Sequence, residues 1–346
     1  METTNYLWMQ KYSPKSLNEL TFNPNITNIL QSLSSKDDFP HLIFYGPDGV
    51  GKKTRIHAFL EKIYGAGIFK KNTETRDLKV NSTTIQYTIT SSNFHIELYP
   101  SDSENHDKFI ISKVIKESSS VAQIDTKSQK KFKVIVLLDA DNLSKEAQAA
   151  LRRTMEKYSK NCRIIMTVSS LSKIILPIAS RCLCLRIPSP SENEIKLCLK
   201  QIIKSEGLDI SDDQLKLIIK NSDRNIRLAI NSLQLTTLGT YSKNVFTPEY
   251  IIAIKEIGKK IRADQSANSL KNIRQLVSSL LTNGIIPEEI ILGLTKDMVS
   301  NINNENKKAD FIKLGAKYDN RYMNGSNKNI FHIEALIAGM MYIQAS

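Results

Sequence analysis

Residues 41–54 read HLIFYGPDGVGKKT, and this stretch decides the fold. An apolar run, His41–Tyr45, gives way to three glycines, Gly46, Gly49 and Gly51, and a segment with helical spacing opens at Lys52. That is the layout of a phosphate-binding loop, GxxxxGK[ST], set between a strand and a helix. Its glycines let backbone N–H groups close around a polyphosphate, and the N-terminus of the following helix adds positive potential. The candidate nucleotide contacts are therefore Gly46, Pro47, Asp48, Gly49, Val50, Gly51, Lys52, Lys53 and Thr54, with Lys52 placed to reach the terminal phosphates. One position breaks the pattern. The Ser or Thr whose hydroxyl holds magnesium is replaced by Lys53, and Thr54 comes one step late. The loop reads as built to hold a nucleotide and poorly built to hydrolyse one.

Outward from the loop, Phe132–Leu138 (FKVIVLL) and Arg163–Val168 (RIIMTV) are continuous apolar, β-branched runs, the mark of central parallel strands. A helix is expected between them over Ser144–Tyr158, with Ala147, Ala150, Leu151 and Thr154 on one face. Strands and helices alternating behind a phosphate loop predict a parallel sheet with helices on both sides. Asn25–Leu33 has helical spacing. Between Asp77 and Tyr99 two alternating runs, Ile85/Tyr87/Ile89 and Phe94/Ile96/Leu98, flank Ser91-Ser92-Asn93 and predict a strand pair. A helix over Asn105–Glu117 carries Lys108, Lys113 and Lys116, and Ser118–Lys131 reads as a polar loop. After Pro188 and Pro190 the strand patterns stop. Ser191 with Glu194, and Ser211 with Gln214, are capping-box signatures. Thr247-Pro248 and Pro287-Glu288-Glu289 place proline at a first helical position. The expected fold is α/β followed by helices only, in three domains: 1–188 with the phosphate loop, 189–242 helical, and 243–346 helical.

The 346 residues carry 48 Lys and Arg against 35 Asp and Glu, a formal net charge of +13. Such an excess suits a polyanionic partner such as nucleic acid, or simply a solvated basic surface. No block of five or six like charges occurs, which favours a folded basic face over a basic tail. No run of about 18 apolar residues exists, so no transmembrane helix and no membrane partner is expected. The opening METTNYLWMQ lacks the pattern of a secretory signal. Cys162, Cys182, Cys184 and Cys198 show no metal-ligand CxxC spacing and read as reduced thiols.

Several stretches together resemble the small subunits of replication factor C, the eukaryotic sliding-clamp loader of the AAA+ class. Leu7–Pro14 is similar to the family's W-V-x-K-Y-R-P opening. Asp139–Tyr158, DADNLSKEAQAALRRTMEKY, is similar to its segment from the acidic box into A-L-R-R-T-M-E. Ser180-Arg181-Cys182 matches its S-R-C motif, and Arg227 in NIRLAINSLQ falls where its second sensor arginine sits. The resemblance implies an AAA+ phosphate-loop domain with a parallel sheet, a helical lid and an all-α collar for oligomerisation. It further implies a nuclear protein in a hetero-pentamer with other replication factor C subunits. The partners it implies are the sliding clamp, primer-template DNA held through its phosphates, and the alternative large subunits of checkpoint and cohesion loaders. By the same resemblance Arg181 is an arginine finger serving a neighbour's nucleotide, and Arg227 reaches this chain's own phosphates. Met9, Tyr12 and Thr21 line the adenine side, and Lys108, Lys113 and Lys116 meet DNA.

Departures from the family narrow the expectation. Hydrolysing subunits carry D-E-A-D, whereas this chain has Leu138-Asp139-Ala140-Asp141. Leu138 stands for the metal-binding acid, and Asp139 for the glutamate that activates water. Ser169 stands where the first sensor is usually Asn, and Ser13 where the opening motif has Arg. Two lost metal ligands remove the charge neutralisation that phosphoryl transfer needs. The expected cofactor is ADP or ATP held structurally, with magnesium weakly held or absent. The hair-pin insertion and the G-K-K-T loop are most similar to the small subunit that closes the arc away from the large one. Two other readings stay open: a free-standing phosphate-loop ATPase acting on DNA, and a scaffold whose nucleotide pocket is vestigial.

Overall fold

The structure, a computed structural model, describes residues 7–80, 83–100, 106–120, 132–238, 246–324 and 329–345. It forms two compact units, 1–246 and 247–346. The first is built on a seven-stranded sheet: β1 (His41–Tyr45), β2 (Asn72–Val80), β3 (Thr83–Ser91), β4 (His95–Leu98), β5 (Lys133–Leu137), β6 (Cys162–Val168) and β7 (Cys182–Arg186). Their order across the sheet is β2-β3-β4-β5-β6-β1-β7. The pairings from β4 to β7 are parallel, and β2–β3 and β3–β4 are antiparallel.

Both faces of the central strands are covered, which explains their uninterrupted apolar sequences. Ile43, Ile135, Leu137, Ile164 and Met166 face one core, shared with Ile110 and Val114 of α4 (Asp107–Ser120) and Leu151 of α5 (Lys145–Lys157). Leu42, Phe44, Val134, Val136 and Ile165 face the other. There they meet Leu30 of α2 (Pro24–Ser34) and Phe59 of α3 (Lys52–Tyr64), while a short α1 (Trp8–Lys11) precedes both helices. Ser144 caps α5 by accepting from the Ala147 N–H. The two alternating runs are β3 and β4, as their periodicity predicts. β2 was not legible, because NTETRDLKV has no apolar alternation. It is a mostly exposed outer strand whose Glu74, Arg76 and Lys79 discourage pairing with another chain.

A short α6 (Leu176–Ala179) leads into β7, and past Ile187 the chain becomes helical: α7 (Glu192–Glu206), α8 (Asp212–Asn221) and α9 (Ile226–Thr237). Both predicted capping boxes form, at Ser191/Glu194 and Ser211/Gln214. The three helices share a cluster of Ile195, Leu199, Leu215, Ile218, Ala229 and Leu233. Phe22 joins it, with Trp8, Met9 and Tyr12 packed against it, so the N-terminal segment is a structural part of this helical layer.

The second unit holds α10 (Glu249–Ala263), α11 (Ala267–Thr282), α12 (Pro287–Ser300), α13 (Glu305–Asn324) and α14 (Asn329–Ala345). Pro287 opens α12 as predicted, but Pro248 is the N-cap of α10 and not its first helical residue. Its extended backbone (ψ 135°) places it one step outside the helix. Gly65 ends α3, whereas Gly67 lies in a 3-10 turn over Ala66–Phe69. Along α14 apolar residues occur all round: Ile333, Leu336, Ile337 and Met340 are buried, while Phe331 and Tyr342 stay exposed. Ser101 and Asp102, most of the loop at Ser118–Lys131 and most of the stretch 243–247 lie outside the described residues.

Candidate functional site

The phosphate loop leaves the C-terminal end of β1 and opens α3, as the glycine spacing requires. Gly51, with φ 85°, is the helix N-cap, and no side chain caps α3 and no acid lies in its first turn. The N–H groups there remain available to an anion. Lys52 is buried inside the loop, its Nζ bonded to Gly46 O at 2.6 Å, Pro47 O at 3.2 Å and Asp48 Oδ1 at 3.1 Å.

Lys53 turns the other way. Its ammonium lies 3.1 Å from Glu97 Oε2 and donates to the Tyr99 hydroxyl at 3.2 Å. Glu97 is 3% exposed, in the middle of β4. Its other oxygen meets His57 Nε2 at 2.8 Å, His95 Nε2 at 3.0 Å and the Lys71 ammonium. Burial alone would raise the Glu97 carboxyl, but the bonds from His57 and His95 hold it well below the usual carboxylate range. Burial pulls Lys53 down, and the Glu97 charge together with its bonds to Tyr99 and Glu97 more than restores it, so its pKa lies above the ordinary lysine value. Lys53 is thus committed to a carboxylate beneath the loop, where the sequence suggested a phosphate partner.

The acidic box sits at the end of β5. Leu138 is 2% exposed and belongs to the apolar core. Asp139 has φ 52°, and its N–H donates to Thr167 Oγ1 at 2.9 Å. Burial, and next the charge of Asp48, raise its carboxyl. Asp141 accepts from the N–H of Ser169 at 3.2 Å and from its hydroxyl. Among the described residues no cluster of His, Cys, Asp or Glu could hold a metal ion. A leucine and a paired lysine at the two expected magnesium positions do not fit that ion.

The helical layer reaches the loop through Asn225. This residue caps α9, its Oδ1 accepting from the Leu228 N–H at 3.1 Å. It also lies so close to the loop that a β-carbon on Gly49 would sit 1.8 Å from that oxygen. Arg227, two residues on, is exposed at the start of α9. Thr21 is exposed. Met9 and Tyr12 pack on the helical layer, and the Tyr12 hydroxyl donates to Glu206 at 2.6 Å. Arg55, fully buried in α3, donates to Phe22 O at 2.5 Å and Thr27 Oγ1 at 3.2 Å, tying the loop's helix to the N-terminal segment.

Arg181 is not near these groups. It precedes β7, with Nη2 at 2.6 Å from Glu156 Oε1 and Nη1 donating to Pro177 O at 2.8 Å. β7 pairs parallel with β1 in the register His41↔Cys182 to Tyr45↔Arg186. Arg181 therefore adjoins the start of β1, and the phosphate loop leaves its end. Five residues of strand separate the two, about 17 Å. On α4, Lys108 pairs with Glu146 at 3.4 Å, Lys113 lies 3.9 Å from Glu117, and Lys116 is exposed. Sequence reasoning missed Glu97, Asn225 and Arg55. Of these only Arg55 left a signal, a charge at a position of the α3 face that the helical spacing buries.

The profile described as replication factor C subunit 3, C-terminal domain, matches residues 250–346. That of the RCF1/5-like AAA+ ATPase lid domain matches 197–238, and that of the DNA polymerase III delta subunit matches 22–191. Replication factor C subunit 5 of Saccharomyces cerevisiae is 39% identical, over 97% of this chain and 98% of its own. Replication factor C subunit 3 of Arabidopsis thaliana is 41% identical over 97% of each. The human subunit 3 is 36% identical over 97% of this chain and 95% of its own. The chain belongs to the replication factor C subunit family. It is a small subunit of the AAA+ clamp loader of DNA replication, and other replication factor C subunits are its partners. Nucleotide binding goes with that fold and with the loop at Gly46–Thr54. Among solved structures, the RuvB Holliday junction branch migration motor of Thermotoga maritima superposes with a TM-score of 0.51. The match spans 80% of this chain and 87% of that one at 14% identity, a likeness of fold alone.

Proposed function

We propose that this replication factor C subunit does not hydrolyse nucleotide itself but holds ADP or ATP structurally and lends Arg181 to a neighbouring subunit's ATP. The observation that carries this reading is the register of β1 and β7. Arg181 and the chain's own phosphate loop lie at opposite ends of one strand pair, so this arginine serves a nucleotide bound elsewhere. Its guanidinium, half exposed and steadied by Glu156, has the planar, permanent charge that a developing γ-phosphate transition state requires. Lys53 paired to Glu97, and Leu138 in the core, leave no oxygen donor at either of the two positions where the family holds magnesium. Lys52, Arg227 and the loop N–H groups hold the phosphates, and Met9, Tyr12 and Thr21 border the base.

The same reading divides the first unit into an AAA+ domain (1–188) and a lid (189–242), with the collar from 243. The separate apolar cluster of α7–α9 supports the lid, and the exposed aromatics of α14 suit a collar that packs against other subunits. The assembly is a nuclear hetero-pentamer that loads the sliding clamp at primer-template junctions, also with alternative large subunits. Lys108, Lys113 and Lys116 contact DNA phosphates without reading sequence.

The test is Arg181→Ala in the assembled complex. Clamp- and DNA-stimulated hydrolysis at the neighbouring site should fall by roughly a thousandfold or more. Unchanged turnover sinks the assignment, and substantial ATPase activity of the isolated chain would favour a self-sufficient enzyme.

A further inference from the structure

The segment joining β7 to α7 is Ile187-Pro188-Ser189-Pro190. Two of its residues have no N–H to donate, so its carbonyls are the handles by which it can be held. Three successive ones are taken by side chains. Pro188 O accepts from Asn23 Nδ2 at 3.3 Å, Ser189 O from Arg224 Nη2 at 2.9 Å, and Pro190 O from Arg224 Nε at 2.9 Å. One guanidinium thus forks across two consecutive peptide units of the joint between sheet and helical layer.

The backbone at the other end of that fork is strained. Asp223 and Arg224 follow one another with φ 46° and 62°, a conformation that non-glycine residues adopt singly and at a cost. Asn23 is left-handed as well, with φ 58°. Surrounding contacts must over-determine such residues for them to persist. Here the left-handed pair turns the chain from α8 into α9. The next residue is Asn225, which caps α9 and rests on Gly49, and Arg227 follows two positions later.

We infer that Arg224 is a positioning residue for the bound nucleotide. By clamping Ser189 and Pro190 it holds the α9 N-terminus down on the phosphate loop and closes the nucleotide's exit. Arg224 touches no phosphate in this role. It fixes the angle of the joint, so Asn225 and Arg227 stay in place whether or not chemistry occurs elsewhere in the assembly. This deepens, and rests on, the structural nucleotide proposed above.

The test measures release of a fluorescent ADP derivative from the full-length chain, chased with excess ADP. Arg224→Gly is informative because glycine is at home at positive φ, so the turn survives while the fork is lost. Release should accelerate about tenfold or more, with the association rate within about twofold and the melting temperature essentially kept. Arg224→Lys, which keeps the charge but can reach only one carbonyl, should fall between wild type and Arg224→Gly. Asn23→Ala should show a smaller acceleration. Wild-type release rates in both Arg224 variants overturn the inference. So does a proportional loss of melting temperature in both, since that makes Arg224 a folding residue. If the wild-type chain retains no nucleotide, it is the phosphate-loop reading that fails.

Discussion

Lys53 donates its ammonium to the buried carboxylate of Glu97, 3.1 Å away across the base of the phosphate loop. Two lysines at the positive end of an uncapped helix are an electrostatic conflict. Asp48 answers it for Lys52 and Glu97 for Lys53. Glu97→Gln removes the negative charge that Lys53, Lys71, His57 and His95 share. Stability should drop by about 3 kcal/mol, the usual result of breaking a buried charged cluster by removing one partner. Denaturant unfolding of the full chain measures it, and a loss under about 1 kcal/mol would mean that solvent already screens the cluster.

Two loop glycines separate strain from contact. Gly49 and Gly51 both have positive φ, 73° and 85°, but only Gly49 meets Asn225, while a β-carbon on Gly51 would find open space. Gly51→Ala should cost about 1 kcal/mol, the left-handed penalty alone. Gly49→Ala should cost clearly more and also speed nucleotide release, because α9 must lift. Equal effects of the two substitutions on nucleotide release would refute the contact.

His41 gives a pH signature. Its Nδ1 accepts the Ile164 N–H at 3.0 Å, which only an unprotonated nitrogen can do. Burial, and next the charge of Arg163, lower its pKa from 6.5 to about 4. The unfolded chain therefore binds a proton that the folded chain refuses between those values. Stability is fully present above pH 6.5 and falls as the pH drops towards 4, by about 3 kcal/mol in all. His57, also lowered chiefly by burial, adds a slope of the same sign. Unfolding at stepped pH should show a shallower decline in His41→Asn, whose Oδ1 can still accept.

Leu138 is an integral core residue as well as a missing acid. Leu138→Asp places a carboxylate among Val136, Phe44 and Phe59, and with Lys53 still engaged by Glu97 it gains no metal. Several kcal/mol of stability should be lost with no gain in ATPase activity. Magnesium-dependent turnover from this single change would contradict the reading of the loop.

The sheet's core strands, the phosphate loop and both capping boxes were legible because their signals are local: a run, a spacing, a pair three residues apart. β2 was not, since an exposed outer strand buries too little to impose a period. Arg181 and Arg227 could be nominated only by resemblance, as nothing around an exposed arginine distinguishes it in sequence. Glu97, Asn225 and Arg224 act through contacts with residues far away in the chain, which no local pattern records. HIEL read as a strand, but not as the holder of Lys53. DRNIR lay in a stretch read as helical throughout, and not as a bend held in place from the linker.

The parallel register of β1 with β7 has a consequence for how such subunits can be arranged. On the proposed reading, the receptor for phosphate and the donated charge lie at opposite ends of one ribbon, which gives the chain a direction, like an arrow. If Arg181 serves a neighbour as proposed, a row of such chains runs one way, each giving at one end what the next receives, and an open arc of them has two unlike ends.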